Sequence, residues 1–177
     1  MPDEPEVQGL LAMMLLLDAR GQARSRGGEL VLLADRDRSF WDTTQIAAGQ
    51  TALDRALALG GRGAYVVQGA IASLHAQEAR DRPQIAVLYG ELARLSGSPV
   101  VELNRAIAVA EVDGPEAGLE IVDRLALEDY RYPHATRGGL LHRLGRTEEA
   151  RDAYRLRRCA CRTCTSDANT TTSSHGR

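Results

Sequence analysis

Apolar residues recur at helical spacing along nearly the whole chain. Val7, Leu11 and Met14 begin a first helix, and the eight-residue run Leu10 to Leu17 is apolar all round. A helix of that kind is predicted to lie centrally or to be covered by another element. Glu29 to Ala34 (ELVLLA) is short and reads as a strand or an extended connector. The polar stretch ADRDRSFWD then leads into a helix that Ser39 is placed to cap, with Asp42 three residues on. Ile46, Leu53 and Leu57 share the next stripe, which Gly60 and Gly61 end. Val67, Ala70, Ile71 and Leu74 mark another helix.

Proline sets the later starts. Pro83 suits a first helical position before Ile85, Leu88, Leu92 and Leu95, and Ser98-Pro99 precedes Val100, Leu103, Ile107 and Ala110. Gly114-Pro115 opens a helix with Gly118, Ile121, Val122 and Leu125 on one side. A final pair covers about Pro133 to Leu144 and Glu148 to Arg157. Strand alternation is absent beyond ELVLLA, so the predicted fold is all-α.

The last helices repeat. Ala106, Val109, Asp113, Gly118 and Val122 align with Gly138, Leu141, Gly145, Ala150 and Tyr154 at a constant offset of 32. These are the small, turn and aromatic spacings of a tetratricopeptide repeat, whose period is about 34 residues. Small residues let antiparallel helices approach, and neighbouring pairs must stack to bury their faces. The predicted architecture is antiparallel helix pairs stacked as a short TPR-like solenoid over residues 1–158. Tyr154 is expected to be its last aromatic anchor, filling the groove around Leu140, Leu141 and Leu144.

Composition changes near residue 158. The stretch 159–177, CACRTCTSDANTTTSSHGR, holds all three cysteines, five Thr and three Ser, and no Leu, Ile, Val, Met or aromatic residue. It cannot bury enough apolar surface to offset an ordering cost of about 1–2 kcal/mol per residue, so disorder is expected from about Cys161. The origin expected for so abrupt a switch is a shifted reading frame in GC-rich coding sequence. Cys159, Cys161 and Cys164 have only His175 as a further soft ligand, too little for a structured zinc loop.

Elsewhere the composition excludes more than it assigns. The formal net charge is −2, which gives no general attraction to phosphates, and aromatics make up 4% of residues. Direct nucleic-acid binding is therefore not expected. All 22 basic residues are arginine, as GC-rich coding produces. The acidic start MPDEPEVQG is unlike a signal peptide, and eight apolar residues fall short of the about 20 that span a membrane. A cytoplasmic protein without a membrane segment is expected.

Catalysis requires a nucleophile, base or metal held by a scaffold. His75 in IASLHAQ reads as a satisfied helix histidine. His134 and His142 lack carboxylates at ligand spacing. Gly60-Gly61-Arg62-Gly63 has no Lys-Ser/Thr sequel and reads as a helix stop. Asp35 to Ser39 (DRDRS) alternates in charge, as solvated loops do. No catalytic, cofactor or metal residues are assigned, and no enzyme activity is expected.

Five stretches together carry a family likeness: EVQGLLAMMLLLDARGQAR, GELVLLADRDRSFWD, AIASLHAQ, PQIAVLYGELARLSGSPVVELNRAIAVAEVDGPEAGL, and HATRGGLLHRLGRTEEARDAY. In this order, over residues 5 to about 157, the chain resembles the C-terminal tetratricopeptide-like extension of extracytoplasmic-function (sigma-24-like) RNA polymerase sigma factors. LHAQ, LNRAIAVA and VDGPEAGL are its most specific motifs. The resemblance implies a regulatory module acting in transcription initiation. Its implied partners are the sigma factor's promoter-reading regions, RNA polymerase or a small signalling protein. The core- and promoter-binding regions that such factors place before this segment are not in the chain, and the family's final helix gives way to the Cys/Thr/Ser stretch. Asp113, Gly114 and Pro115 become the best candidate for a regulatory contact, although a tight inter-helix turn is the favoured explanation of them. A free-standing peptide-binding adaptor is the alternative.

Overall fold

The computed structural model describes residues 4–21, 23, 25–26, 29–31, 37–125 and 131–166. Its order is α1 (Pro5–Asp18), β1 (Ser25–Arg26), β2 (Glu29–Leu30), α2 (Thr43–Ala58), α3 (Ala64–Ala76), α4 (Arg82–Ser96), α5 (Pro99–Val112), α6 (Pro115–Asp123), α7 (Arg131–Arg143) and α8 (Thr147–Ser166). Among the described residues the protein is all-α apart from the two-residue antiparallel ladder β1–β2, which pairs Ser25 with Leu30 and Arg26 with Glu29. ELVLLA thus contributes its first two residues to a minimal hairpin. The chain forms two compact units, 1–96 and 97–177.

In the first unit α1 packs on both α2 and α3, and α3 on α4. Helix α1 buries its small face, Gln8, Gly9, Ala12 and Leu16, and turns Val7, Leu11 and Met14 outward. It is central on one side and uncovered on the other among the described residues. At Gly9 the helices come close: a Cβ there would stand 2.6 Å from the Val66 backbone nitrogen. Beside it, the Glu6 carboxylate accepts hydrogen bonds from the Tyr65 and Val66 backbone N–H groups at 3.0 and 3.3 Å. Gly63, at the start of α3, has no side chain to do this. Glu6 therefore caps α3 from a different helix, and the EVQG stretch is a joint.

The start of α2 corrects one expectation. Asp42, not Ser39, is its N-cap, with Oδ1 accepting from the Gln45 N–H at 2.9 Å. Ser39 sits in a 3-10 turn, Arg38–Phe40, where the Asp37 carboxylate engages both its N–H and its hydroxyl. Two nearby carboxylates outcompete the serine hydroxyl as acceptors. On α2 the buried positions are Gly49, Ala52, Leu53 and Ala56, while Leu57 is exposed.

In the second unit α5 pairs with α6, α6 with α7, and α7 with α8. Helices α5 and α7 begin 32 residues apart, as do α6 and α8, so the sequence repeat is a repeat of helix hairpins. One core joins Leu103, Ala106, Ala110, Leu119, Val122, Leu140, Leu141, Ala150 and Ala153. Aligned positions exchange volume between hairpins. Ala106 and Val122 of the first correspond to Gly138 and Tyr154 of the second, and the Tyr154 ring lies against Gly138.

Tyr154 differs from its expected role. It is 38% exposed and covers the Gly138 surface of α7, while Ala150 and Ala153 form the buried contact of α8. A ring on a helix that lies this close cannot also enter the interior. Helix α8 itself runs to Ser166, past both Arg158 and Cys161, where composition placed the end of order. Arg, Leu and Ala continue through RLRRCACR without a glycine or proline, so nothing local stops the helix there. The rest of the expected tail, 167–177, and the cysteine side chains lie outside the described residues.

Candidate functional site

The turn of Asp113, Gly114 and Pro115 joins α5 to α6. Asp113 ends α5, its N–H donating to the Val109 carbonyl at 2.8 Å. Gly114 takes φ +99, a left-handed conformation that side chains resist, and Pro115 opens α6. No side chain caps α6, so the Asp113 carboxylate is exposed and not used as a helix start. Arg143 of α7 donates to the Ala110 carbonyl at 3.1 Å, satisfying an acceptor at the end of α5. The three residues are therefore adjacent and well placed, and their backbone fits a tight turn.

A second constellation lies in the first unit, and sequence reasoning did not find it. Arg20 is only 3% exposed, and its Nε donates to the Leu16 carbonyl at 2.9 Å, capping α1. Arg38 reaches across 38 residues of sequence to the end of α3. Its Nη2 donates to the Ala76 carbonyl at 2.6 Å and its Nη1 to the Gln77 carbonyl at 2.9 Å. Cations belong at helix C-termini, where unpaired carbonyls and the helix dipole are negative. A guanidinium can serve two carbonyls at once, which an ammonium does less well. Arg38 of the DRDRS run is thus not simply solvated, because it is clamped onto LHAQ, while Asp35 and Arg36 lie outside the described residues.

Trp41 ties these cations together. It is 6% exposed, with the Arg38 guanidinium 4.2 Å and the Arg20 guanidinium 5.8 Å from its ring centre. Close by, the Asp42 N–H donates to the Ala19 carbonyl, and Gln45 donates to the Asp18 carboxylate. The indole Nε1 and His75 Nδ1 are both buried without a hydrogen-bond partner among the described residues. Burial raises the pKa of Tyr89 on α4, against the pull of Arg20. Trp41, just before α2, and Tyr89 of α4 thus both lie within the influence of Arg20.

His75 is held neutral. Desolvation chiefly, with the charges of Arg20 and Arg80, lowers its pKa from 6.5 to about 4. The unfolded chain then binds a proton between pH 6.5 and 4 that the folded chain refuses. Stability contributed by neutral His75 is complete above pH 6.5 and is lost as pH falls toward 4. After allowance for its partial exposure to solvent, the loss should be on the order of 1–2 kcal/mol. Thermal melts from pH 7 to 4 should show this decline, and His75→Gln should flatten it. An unchanged slope in the variant would exclude His75 as its source.

Chemically, the cluster places cations and closes helix ends. Among the described residues no group of three or more His, Cys, Asp or Glu is arranged to hold a metal ion. No helix there is long and apolar enough to cross a membrane. His134 and His142 both lie on α7.

Residues 1–57 match the profile of a family of unknown function, DUF6596. An uncharacterized protein of Rhizobium meliloti (strain 1021) is 46% identical over 160 residues, covering 86% of this chain and 38% of that protein. The chain thus spans well under half the length of its curated relative. No solved structure matches.

Proposed function

We propose that this segment is the regulatory C-terminal module of a sigma factor, acting in transcription initiation through contacts rather than chemistry of its own. One observation carries the reading: the stretches that resemble the sigma-factor extension form the joints of the fold. Glu6 and Gly9 of EVQG fit the start of α3, and Arg38 of RDRSFWD clamps the LHAQ end of the same helix. LNRAIAVA and VDGPEAGL supply Leu103, Ala106, Ala110 and Leu119 to one core. Residues that determine a fold are harder to match by chance than general helical composition. The greater length of the Rhizobium meliloti relative fits a module that works on the remainder of a larger protein. The partners in this reading are the promoter-reading regions, RNA polymerase or a small signalling protein.

A stand-alone TPR-like adaptor is the second reading. It is favoured by Val100 and Tyr132, exposed residues at equivalent positions of the two hairpins. Such repeated exposed positions are what a peptide-binding face would use.

The Asp113 turn separates contact from scaffold. In an intact relative that keeps Asp-Gly-Pro, Asp113→Ala removes no helix cap, so the thermal midpoint should stay within about 2 °C. Transcription from the cognate promoter should fall several-fold if the carboxylate meets a partner. Unchanged transcription would leave the turn as a joint only.

A further inference from the structure

The outward side of α1 has an order that its apolar composition hides. Glu4, Val7, Leu11, Met14 and Asp18 follow one another at spacings of 3, 4, 3 and 4, the seam of a paired helix. Val7 is 49% exposed, Leu11 44%, Met14 58% and the flanking Leu17 38%, although α1 is packed on α2 and α3 on its other side. Both ends of the seam are acidic, and from Pro5 to Asp18 the helix carries no basic residue.

The geometry points to this seam as a docking site for an amphipathic helix with basic ends, supplied by the remainder of the longer protein. The inference rests on the module reading above and adds where contact is made. Two features select this occupant over a second copy of the chain. Acidic ends would meet acidic ends in a pair of copies, whereas basic ends complement Glu4 and Asp18. The stripe also offers only on the order of a few hundred Å² of apolar surface, against roughly 800 Å² per partner in a stable interface. A tethered helix at millimolar effective concentration can dock on an area that free partners cannot hold. Methionine at the most exposed apolar position of the seam adapts to an imperfectly matched ridge.

The test uses the full chain and two labelled synthetic helical peptides with the same 3-4 leucine stripe, one ended by arginines and one by glutamates. The arginine-ended peptide should bind at least about tenfold more tightly. Leu11→Asp with Met14→Asp should abolish that binding while moving the thermal midpoint by no more than about 2 °C, because both side chains are already exposed. Equal binding of the two peptides, binding retained by the double variant, or a dimer of the chain that the substitutions disperse would each overturn the proposal. Hydroxyl-radical footprinting supplies the tethered arm. The positions matching Leu11 and Met14 should be protected in the intact Rhizobium meliloti protein relative to this chain, and equal labelling would refute docking in cis. Neither readout involves transcription, so failure of the transcriptional reading and failure of the docking site remain distinct outcomes.

Discussion

Replacing Gly9 with alanine is expected to destabilise the first unit by about 2–3 kcal/mol, the range of overpacked cores. A single methyl in a helix ordinarily stabilises, by up to about 1 kcal/mol relative to glycine. Here the methyl would meet backbone, not a flexible side chain: Val66 N at 2.6 Å, Val66 Cα at 2.7 Å and Tyr65 C at 2.8 Å. Relief requires α1 and α3 to separate, which also pulls the Glu6 carboxylate from the N–H groups it caps. Gly139→Ala is the matched control, since its nearest neighbour would be the Tyr154 hydroxyl at 3.9 Å. Denaturant melts should show a large loss for Gly9→Ala and a neutral or slightly stabilised Gly139→Ala. Equal effects would mean that α1 and α3 do not meet backbone to backbone at Gly9.

Trp41→Ala should cost more, about 3–5 kcal/mol, as expected for a buried aromatic. The indole supplies both apolar contact and the surface on which the Arg38 guanidinium rests at 4.2 Å. Arg38→Ala alone should cost about 1–2 kcal/mol, because its donors serve the α3 carbonyls from an exposed position. The two losses should not add, since Trp41 orients the group that makes those bonds. A double-mutant cycle is expected to give a coupling of about 0.5–1 kcal/mol. Strict additivity would separate the clamp from the ring.

Helix placement was largely legible in the sequence because local chemistry decides it. Pro99 and Pro115 open helices where expected, Gly60 follows the end of α2 with φ +77, and the offset of 32 returns as two hairpins. Depth was less legible. Hydrophobic period marks a face, and in this chain the larger members of a stripe often stay outside while the small ones touch. Leu57, Leu95 and Ile107 are exposed, whereas Ala56, Ala106 and Ala110 are buried. Helices that approach on alanine and glycine leave no room for leucine at the crossing. The Arg38 clamp was hidden for another reason. Its acceptors are backbone carbonyls nearly forty residues away, which no residue-type pattern records. The Asp113 turn, being local, was recognised as a turn, and its backbone accounts for Gly114 and Pro115 without accounting for the exposed carboxylate.

The role proposed for this segment is control of a larger transcription protein by contact. It is tested most directly by reconstituted transcription with the intact Rhizobium meliloti relative and with a version lacking the region matched here. RNA polymerase core and the relative's own promoter would be common to both reactions. The intact protein should direct promoter-specific initiation, and removing the segment should change that output by about tenfold or more without abolishing core binding. Promoter-specific transcription that is the same with and without the segment, or an intact relative that never directs initiation, would contradict it.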